Sequence, residues 1–131
     1  MIGYRVSSAA RAKQWQDAFS GIGSFKYGGR WSSPGTYMVY ASTHLSLATL
    51  EILVHVNKAS FLDSRVAIRF EIDDVLVMQL DDQALPVSWD ALPAPVRSQK
   101  SGDAWAASSQ SMGLLVPSAV LPKGDEREDR T

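Results

Sequence analysis

Nine of the fifteen residues from Gly21 to Gly35 are glycine, serine or proline (five, three and one of each), and no long helix or strand can run through such a stretch. It is expected to be a long structured loop without a regular element. Before it, the apolar alternation of Tyr4 and Val6 predicts an opening strand, and a helix is expected from Arg11 to Phe19, ending at Ser20-Gly21. After it, Tyr37–Ala41 reads as a short strand. Ser42 or Thr43 then stands where an N-cap would begin a helix from His44 to about Asn57.

The remainder is punctuated differently. Arg65–Ile72 alternates bulky apolar with mostly charged residues, the pattern of a strand with one buried face, and Val75–Leu80 predicts another. Pro86, Pro93 and Pro95 make the stretch to about Gln99 a connection, after which Ser101 or Asp103 is expected to cap a short helix through Ala104-Trp105-Ala106. Leu114–Val120 is a final strand whose Pro117 places it at an edge or bulge. From residue 123 onward the chain is almost wholly charged, so residues 123–131 are expected to form a disordered tail.

Strands and helices mixed along 131 residues without a repeat or linker predict one α+β domain. With 45% hydrophobic residues, the chain carries enough apolar surface to fold. Thirteen basic against fourteen acidic residues provide no field for phosphate polymers, which argues against direct nucleic-acid binding. The absence of cysteine removes disulfides, thiolate metal sites and thiol nucleophiles together. There is neither a signal peptide nor a membrane-length apolar run, so a cytoplasmic protein is expected.

Three places could carry chemistry. The helix from His44 is apolar around most of its circumference, which predicts burial, yet at ~100° per residue His44, Glu51 and His55 fall within about 20° of one line. An acid on such a stripe either pairs with a cation or backbone amides, faces solvent, or acts on a substrate. A metal is not expected, because Glu51 and His55 offer two ligands and His44 lies nearly two turns away. In the loop, Gly28-Gly29 allows close backbone approach while Lys26 and Arg30 add positive charge, which suits an anion such as a phosphate. The spacing is neither a Walker loop nor a dinucleotide fingerprint, and tight turning alone also explains the glycines. Tyr27, Trp31, Tyr37 and Tyr40 cluster nearby, with flat faces suited to a nicotinamide or adenine ring or to a core. Ser118 is read as a hydrogen-bonding residue, since neither histidine is placed to activate it.

In order along the chain, Tyr4-Arg5, Gly28-Gly29-Arg30-Trp31-Ser32-Ser33-Pro34-Gly35, Val39-Tyr40, Leu47-Ala48-x-Leu50-Glu51-Ile52-Leu53-Val54-His55, Gly102-Asp103-x-Trp105 and Leu115-Val116-Pro117-Ser118-Ala119 resemble the RES domain family, named for an arginine, a glutamate and a serine. The resemblance implies an ADP-ribosyltransferase-like α+β domain over residues 1–122, with short twisted sheets and flanking helices. It implies a toxin of a type II toxin–antitoxin pair that cleaves NAD⁺ at the nicotinamide–ribose bond, as a glycohydrolase or phosphorylase. Protein ADP-ribosylation, or a catalytically impaired interaction module, is the alternative. By motif position the catalytic set is Arg30, Tyr40, Glu51 and Ser118, and the NAD⁺-binding set is Arg5, Tyr27, Gly28, Gly29, Arg30, Trp31 and Tyr40. The implied partner is a cognate antitoxin with an Xre-like DNA-binding region, and a homodimer is an assembly to test. Two departures stand out: serines follow Trp31 where the family commonly has asparagine, and the charged tail stands where the family usually continues into an Asn-Pro-x-His-type segment.

Overall fold

β1 (Ile2–Ser8) and β2 (Arg65–Glu71) pair antiparallel, with Ile2 opposite Glu71, Arg5 opposite Ile68 and Ser8 opposite Arg65. The computed structural model describes residues 1–10, 13–56 and 64–121, together with the backbone but not the side chains of His55 and Val56. The expected alternation of β2 holds in its second half: Ile68 and Phe70, and Ile72 just beyond, are half-buried while Arg69 and Glu71 are exposed. Gly3 is required by this pairing, because a Cβ there would lie 2.3 Å from the Phe70 ring. Phe70 in turn meets Phe19 edge to face, with centroids 5.3 Å apart.

The helix expected over residues 11–19 is, within the described residues, a single 3₁₀ turn, Trp15–Phe19. Arg5 Nε donates to the Ala18 carbonyl at 2.8 Å, and Gly21 turns left-handed at φ 74°, so the turn cannot propagate. Gly21 then starts a helix the composition hid. α1 (Ile22–Tyr27) occupies the six residues between Gly21 and Gly28, both at φ 74°, which corrects the expectation of an irregular 21–35 stretch.

The strand expected at Tyr37–Ala41 is instead extended chain that touches β1 through one bridge, Tyr4 with Ser42, at 2.7 and 3.0 Å. A continued antiparallel ladder would next join Val6 to Tyr40. The Arg5 guanidinium takes the Tyr40 carbonyl instead, at 2.9 Å, and the ladder stops.

α2 (Leu45–Val56) forms where the helical pattern predicts, and packs on β1. Its expected burial is corrected: Ala48 is 7% exposed, but Leu45, Leu50 and Val54 are 40–49% exposed, because among the described residues α2 is covered mainly on the β1 side.

β3 (Val77–Gln79) and β4 (Gly113–Leu115) pair in parallel, Val77 with Gly113 and Gln79 with Leu115. Both are shorter than expected. Residues Asp74–Leu76 form a 3₁₀ turn held by the Asp73 carboxylate on the Val75 amide, and Pro117, lacking an N–H, follows the end of β4. α3 (Val96–Ser108) is a thirteen-residue helix that begins directly after Pro95, well before the Ser101 or Asp103 cap expected from sequence. Proline needs no N–H at a helix start, so it begins this helix rather than preventing it.

Mixed helices and two small sheets make an α+β fold. Among the described residues no helix is long and apolar enough to cross a membrane. The tail from residue 123 lies outside the described residues.

Candidate functional site

A cleft of ≈ 670 Å³ opens where α2, the Gly28–Trp31 turn, the extended Tyr40–Thr43 segment and the chain after β4 converge. Its volume lies within the range of small-molecule sites, about 300–1,000 Å³. Arg5, Gly28, Gly29, Arg30, Trp31, Tyr40, Glu51 and Ser118 all line it. Tyr27 does not, and is 73% exposed at the end of α1.

Glu51 projects from α2, and Ser118, sixty-seven residues later, donates its hydroxyl proton to Glu51 Oε1 at 2.8 Å. The Val120 amide donates to Ser118 Oγ at 3.3 Å. Ser118 is thus oriented as a support for the carboxylate, its hydroxyl proton directed at Glu51 Oε1. Neighbouring His44 is exposed and hydrogen-bonded to Thr43 Oγ1 at 3.1 Å, whereas the His55 side chain lies outside the described residues.

Arg30 reaches across the cleft rim, donating from Nη1 to the carbonyls of Trp89, at 2.7 Å, and Ala91, at 2.8 Å. The other N–H groups of its five-donor fork are not committed to these carbonyls. Trp31 follows Arg30 inward, is only 5% exposed, and stacks on Trp89 with centroids 5.9 Å apart at 24°. The residue 86–91 turn is therefore clamped to the glycine loop twice, once by charge and once by an aromatic face.

Tyr40 supports the loop from below. Its hydroxyl accepts the Trp31 N–H at 2.9 Å and is hydrogen-bonded to Ser32 Oγ at 2.8 Å, and Ser32 is fully buried. Gly29 makes this approach possible, since a Cβ there would stand 2.6 Å from Tyr40 Oη. Burial, helped by the Asp103 charge, raises the Tyr40 pKa against the lowering effect of its hydrogen bonds and Arg30. The phenol is thus neutral at physiological pH and serves as a strut. Arg5 anchors the same segment through the Tyr40 carbonyl; its burial, and then the nearby Arg65, lower its pKa.

A raised folded pKa means that the Tyr40 contribution to stability is fully present below its ordinary value of about 10 and is lost as pH rises through the higher folded value. Tyr40→Phe is expected to cost about 1–3 kcal/mol at neutral pH, by orphaning the Trp31 N–H, and to remove that alkaline slope. Urea midpoints of both proteins from pH 8 to 11 check the sign; parallel curves would contradict it.

Several contacts that build the site escaped the sequence reading. Gln99 Nε2 donates to the Gly29 carbonyl at 3.0 Å, and Gly102 lets α3 touch the Trp31 backbone. Asp103, expected as a cap, is instead an acceptor for Ser33: Oδ1 takes the Ser33 N–H at 3.0 Å and Oδ2 takes its hydroxyl. Burial would raise the Asp103 pKa, but the bonds from Ser33 and Thr36 outweigh it and hold it below the usual carboxylate range. A glycine inside a helical run was the one local signal of the α3 contact.

Among known proteins, a protein named Toxin Res from Yersinia enterocolitica is 39% identical over 104 residues, covering 79% of this chain and 68% of its own. Another Toxin Res, from Photorhabdus laumondii, is 38% identical over 122 residues, covering 93% and 76% of the two chains. A protein named Prs ADP-ribosylating toxin, from Sphingobium, is 36% identical over 123 residues, covering 92% and 76%. The RES domain family matches residues 3–126. A match over nearly the whole chain, joined by relatives above one-third identity, places the chain in the RES domain family.

Proposed function

We propose that the chain is a toxin that uses NAD⁺ by breaking the bond between nicotinamide and ribose. The observation that carries this reading is the Ser118-supported Glu51 carboxylate in the same cleft as the Arg30 glycine loop. In the step, the C1′–N bond breaks and its electron pair passes to the pyridinium nitrogen, releasing neutral nicotinamide. The ribose is left as an oxocarbenium-like centre. A carboxylate beside that centre stabilises it as the charge develops. Glu51 takes this part, and Ser118 fixes its orientation. Arg30 and the backbone of Gly28 and Gly29 hold the diphosphate, Arg5 and Trp31 set the cleft wall, and Tyr40 offers the aromatic surface for the base.

The ADP-ribosyl group then passes to water, to inorganic phosphate, or to a protein side chain. Water or phosphate makes the chain an NAD⁺-degrading enzyme. The name of the Sphingobium relative supports a protein acceptor as the second reading. No metal is assigned a part in this reaction. The names of the relatives also support control by a cognate antitoxin. A DNA-binding, Xre-like region is assigned to that partner, the cytoplasm is its place of action, and a homodimer is the assembly to examine by light scattering.

The test is incubation of the purified chain with NAD⁺ and chromatography for free nicotinamide, with phosphate added or withheld. Absence of nicotinamide release from folded protein, under both conditions and with cell extract as acceptor, would favour an interaction module instead. Arg30→Ala is expected to raise KM for NAD⁺ by about tenfold or more with kcat changed little, since a charge-assisted diphosphate contact acts alike in ground and transition states. An unchanged KM would remove the diphosphate role.

A further inference from the structure

The loop that carries Arg30 is gripped from behind by one face of α3. Gln99, Gly102 and Asp103 stand at i, i+3 and i+4, the spacing of a single helical face, and meet Gly29, Trp31 and Ser33 in turn. The alternate residues point elsewhere: Arg30 to the Trp89 and Ala91 carbonyls, and Ser32 to Tyr40. Gly29, Trp31 and Ser33 thus rest on the helix, while Arg30 and Ser32 are held by other parts of the chain. None of Gln99, Asp103 and Ser33 lines the cleft. Asp103 makes the strongest grip, because its carboxylate accepts both the N–H and the hydroxyl of Ser33, and Thr36 adds to it.

We propose that Asp103 is a positioning residue for dinucleotide binding: by pinning Ser33 it sets the path of residues 28–33 and so the place of Arg30 and the glycine amides against the diphosphate. This rests on the NAD⁺ reading given above. Glu51 and Ser118 sit on α2 and on the chain after β4, with no hydrogen bond to this loop among the described residues, so the bond-breaking groups keep their geometry when Asp103 is lost. Asp103 acts on affinity, and the chemical step proceeds from whatever substrate is bound.

The experiment is steady-state nicotinamide release by the full chain and its Asp103→Ala, Asp103→Asn and Ser33→Ala variants, with backbone amide exchange measured on each. Asp103→Ala should raise KM for NAD⁺ on the order of tenfold, as loss of hydrogen bonds to a charged group does, while kcat stays within about threefold. Asp103→Asn should recover most of the affinity, since the amide oxygen accepts the Ser33 N–H and its NH₂ donates to Ser33 Oγ. The Ser33→Ala, Asp103→Ala double variant should be no worse than Asp103→Ala alone. A merely structural role predicts the reverse split, with KM unchanged and kcat falling with the folded fraction, and that result overturns the proposal. So does a double variant whose losses add. Exchange separates this proposal from the NAD⁺ reading: the Gly29 and Ser33 amides should exchange faster in Asp103→Ala while those of β1 and β2 do not. Unchanged exchange overturns the role of Asp103 even if the wild type proves inactive on NAD⁺, and an inactive wild type with accelerated loop exchange overturns only the NAD⁺ reading and its KM arm.

Discussion

Glu51→Gln is expected to lower nicotinamide release by about 10²–10³-fold while the protein remains folded, because one preorganised electrostatic contact at a developing charge is lost. The substitution keeps length and shape. Ser118 Oγ donates to Glu51 Oε1 in the native protein, and the same bond can form to the carbonyl oxygen of glutamine, so the α2 to post-β4 contact survives. In the proposed reaction, what disappears is the negative charge facing the oxocarbenium-like centre, whose charge develops only on the way to the transition state. KM should therefore change little and kcat should carry the loss. Ser118→Ala should cost less, because it frees the carboxylate to rotate without neutralising it. Had Glu51 been a structural residue, Glu51→Gln would lower activity only in proportion to unfolded protein. A folded variant with near-normal nicotinamide release would sink the assignment of Glu51 to the reaction centre.

Legibility in the sequence followed the range of the interactions. β1 and β2 were readable because period-two alternation is local, and α2 because its helical pattern is local. What covers α2 was not readable, since a helical wheel shows which faces are apolar and says nothing of which neighbour arrives; Leu45, Leu50 and Val54 stayed substantially exposed. The glycine count of residues 21–35 misled for a specific reason. Two of those glycines, Gly21 and Gly28, take positive φ and bound a helix, so the composition of the segment reported its ends rather than its interior. Pro95 misled in the same way, by opening α3 where a break was expected.

The site divides along the same line. Residue types suited to the chemistry were visible at Arg30, Tyr40, Glu51 and Ser118, and the fold gathers those four side chains around one cleft. The supports were not visible: Arg30 to Trp89 and Ala91, Gln99 to Gly29 and Asp103 to Ser33 all bridge 59 to 70 residues, and one sequence carries no record of such pairings. The supports also alter the meaning of visible residues. Arg5 was marked by motif position as binding NAD⁺, yet two of its donors hold the Ala18 and Tyr40 carbonyls, so its part is to shape the wall. Tyr40 was marked for its ring, yet its hydroxyl holds the Trp31 amide and Ser32.

Gly102→Ala is expected to destabilise the protein by about 3 kcal/mol or more, opposite in sign to the usual outcome, since alanine in place of glycine within a helix typically stabilises by roughly 0.5–1 kcal/mol. The reversal comes from one distance. A Cβ at Gly102 would lie 1.6 Å from the Trp31 carbonyl oxygen and 2.6 Å from its carbonyl carbon, and these are backbone atoms that no rotamer change can move aside. Trp31 cannot retreat easily either, being 5% exposed, stacked on Trp89 and bound through its N–H to Tyr40. α3 must therefore lift from the loop, and Gln99 and Asp103, four residues apart on the same face, lift with it. Activity should fall with stability, unlike the affinity-only loss expected of Asp103→Ala. Gly23→Ala is the control, because Gly23 also lies in a helix, α1, yet a Cβ there meets nothing within 4 Å. Urea midpoints should move in opposite directions for the two variants, down for Gly102→Ala and level or up for Gly23→Ala. A Gly102→Ala protein as stable as the wild type would show that α3 does not rest on the Trp31 backbone in solution, and the support of the Arg30 loop by α3 would fall with it.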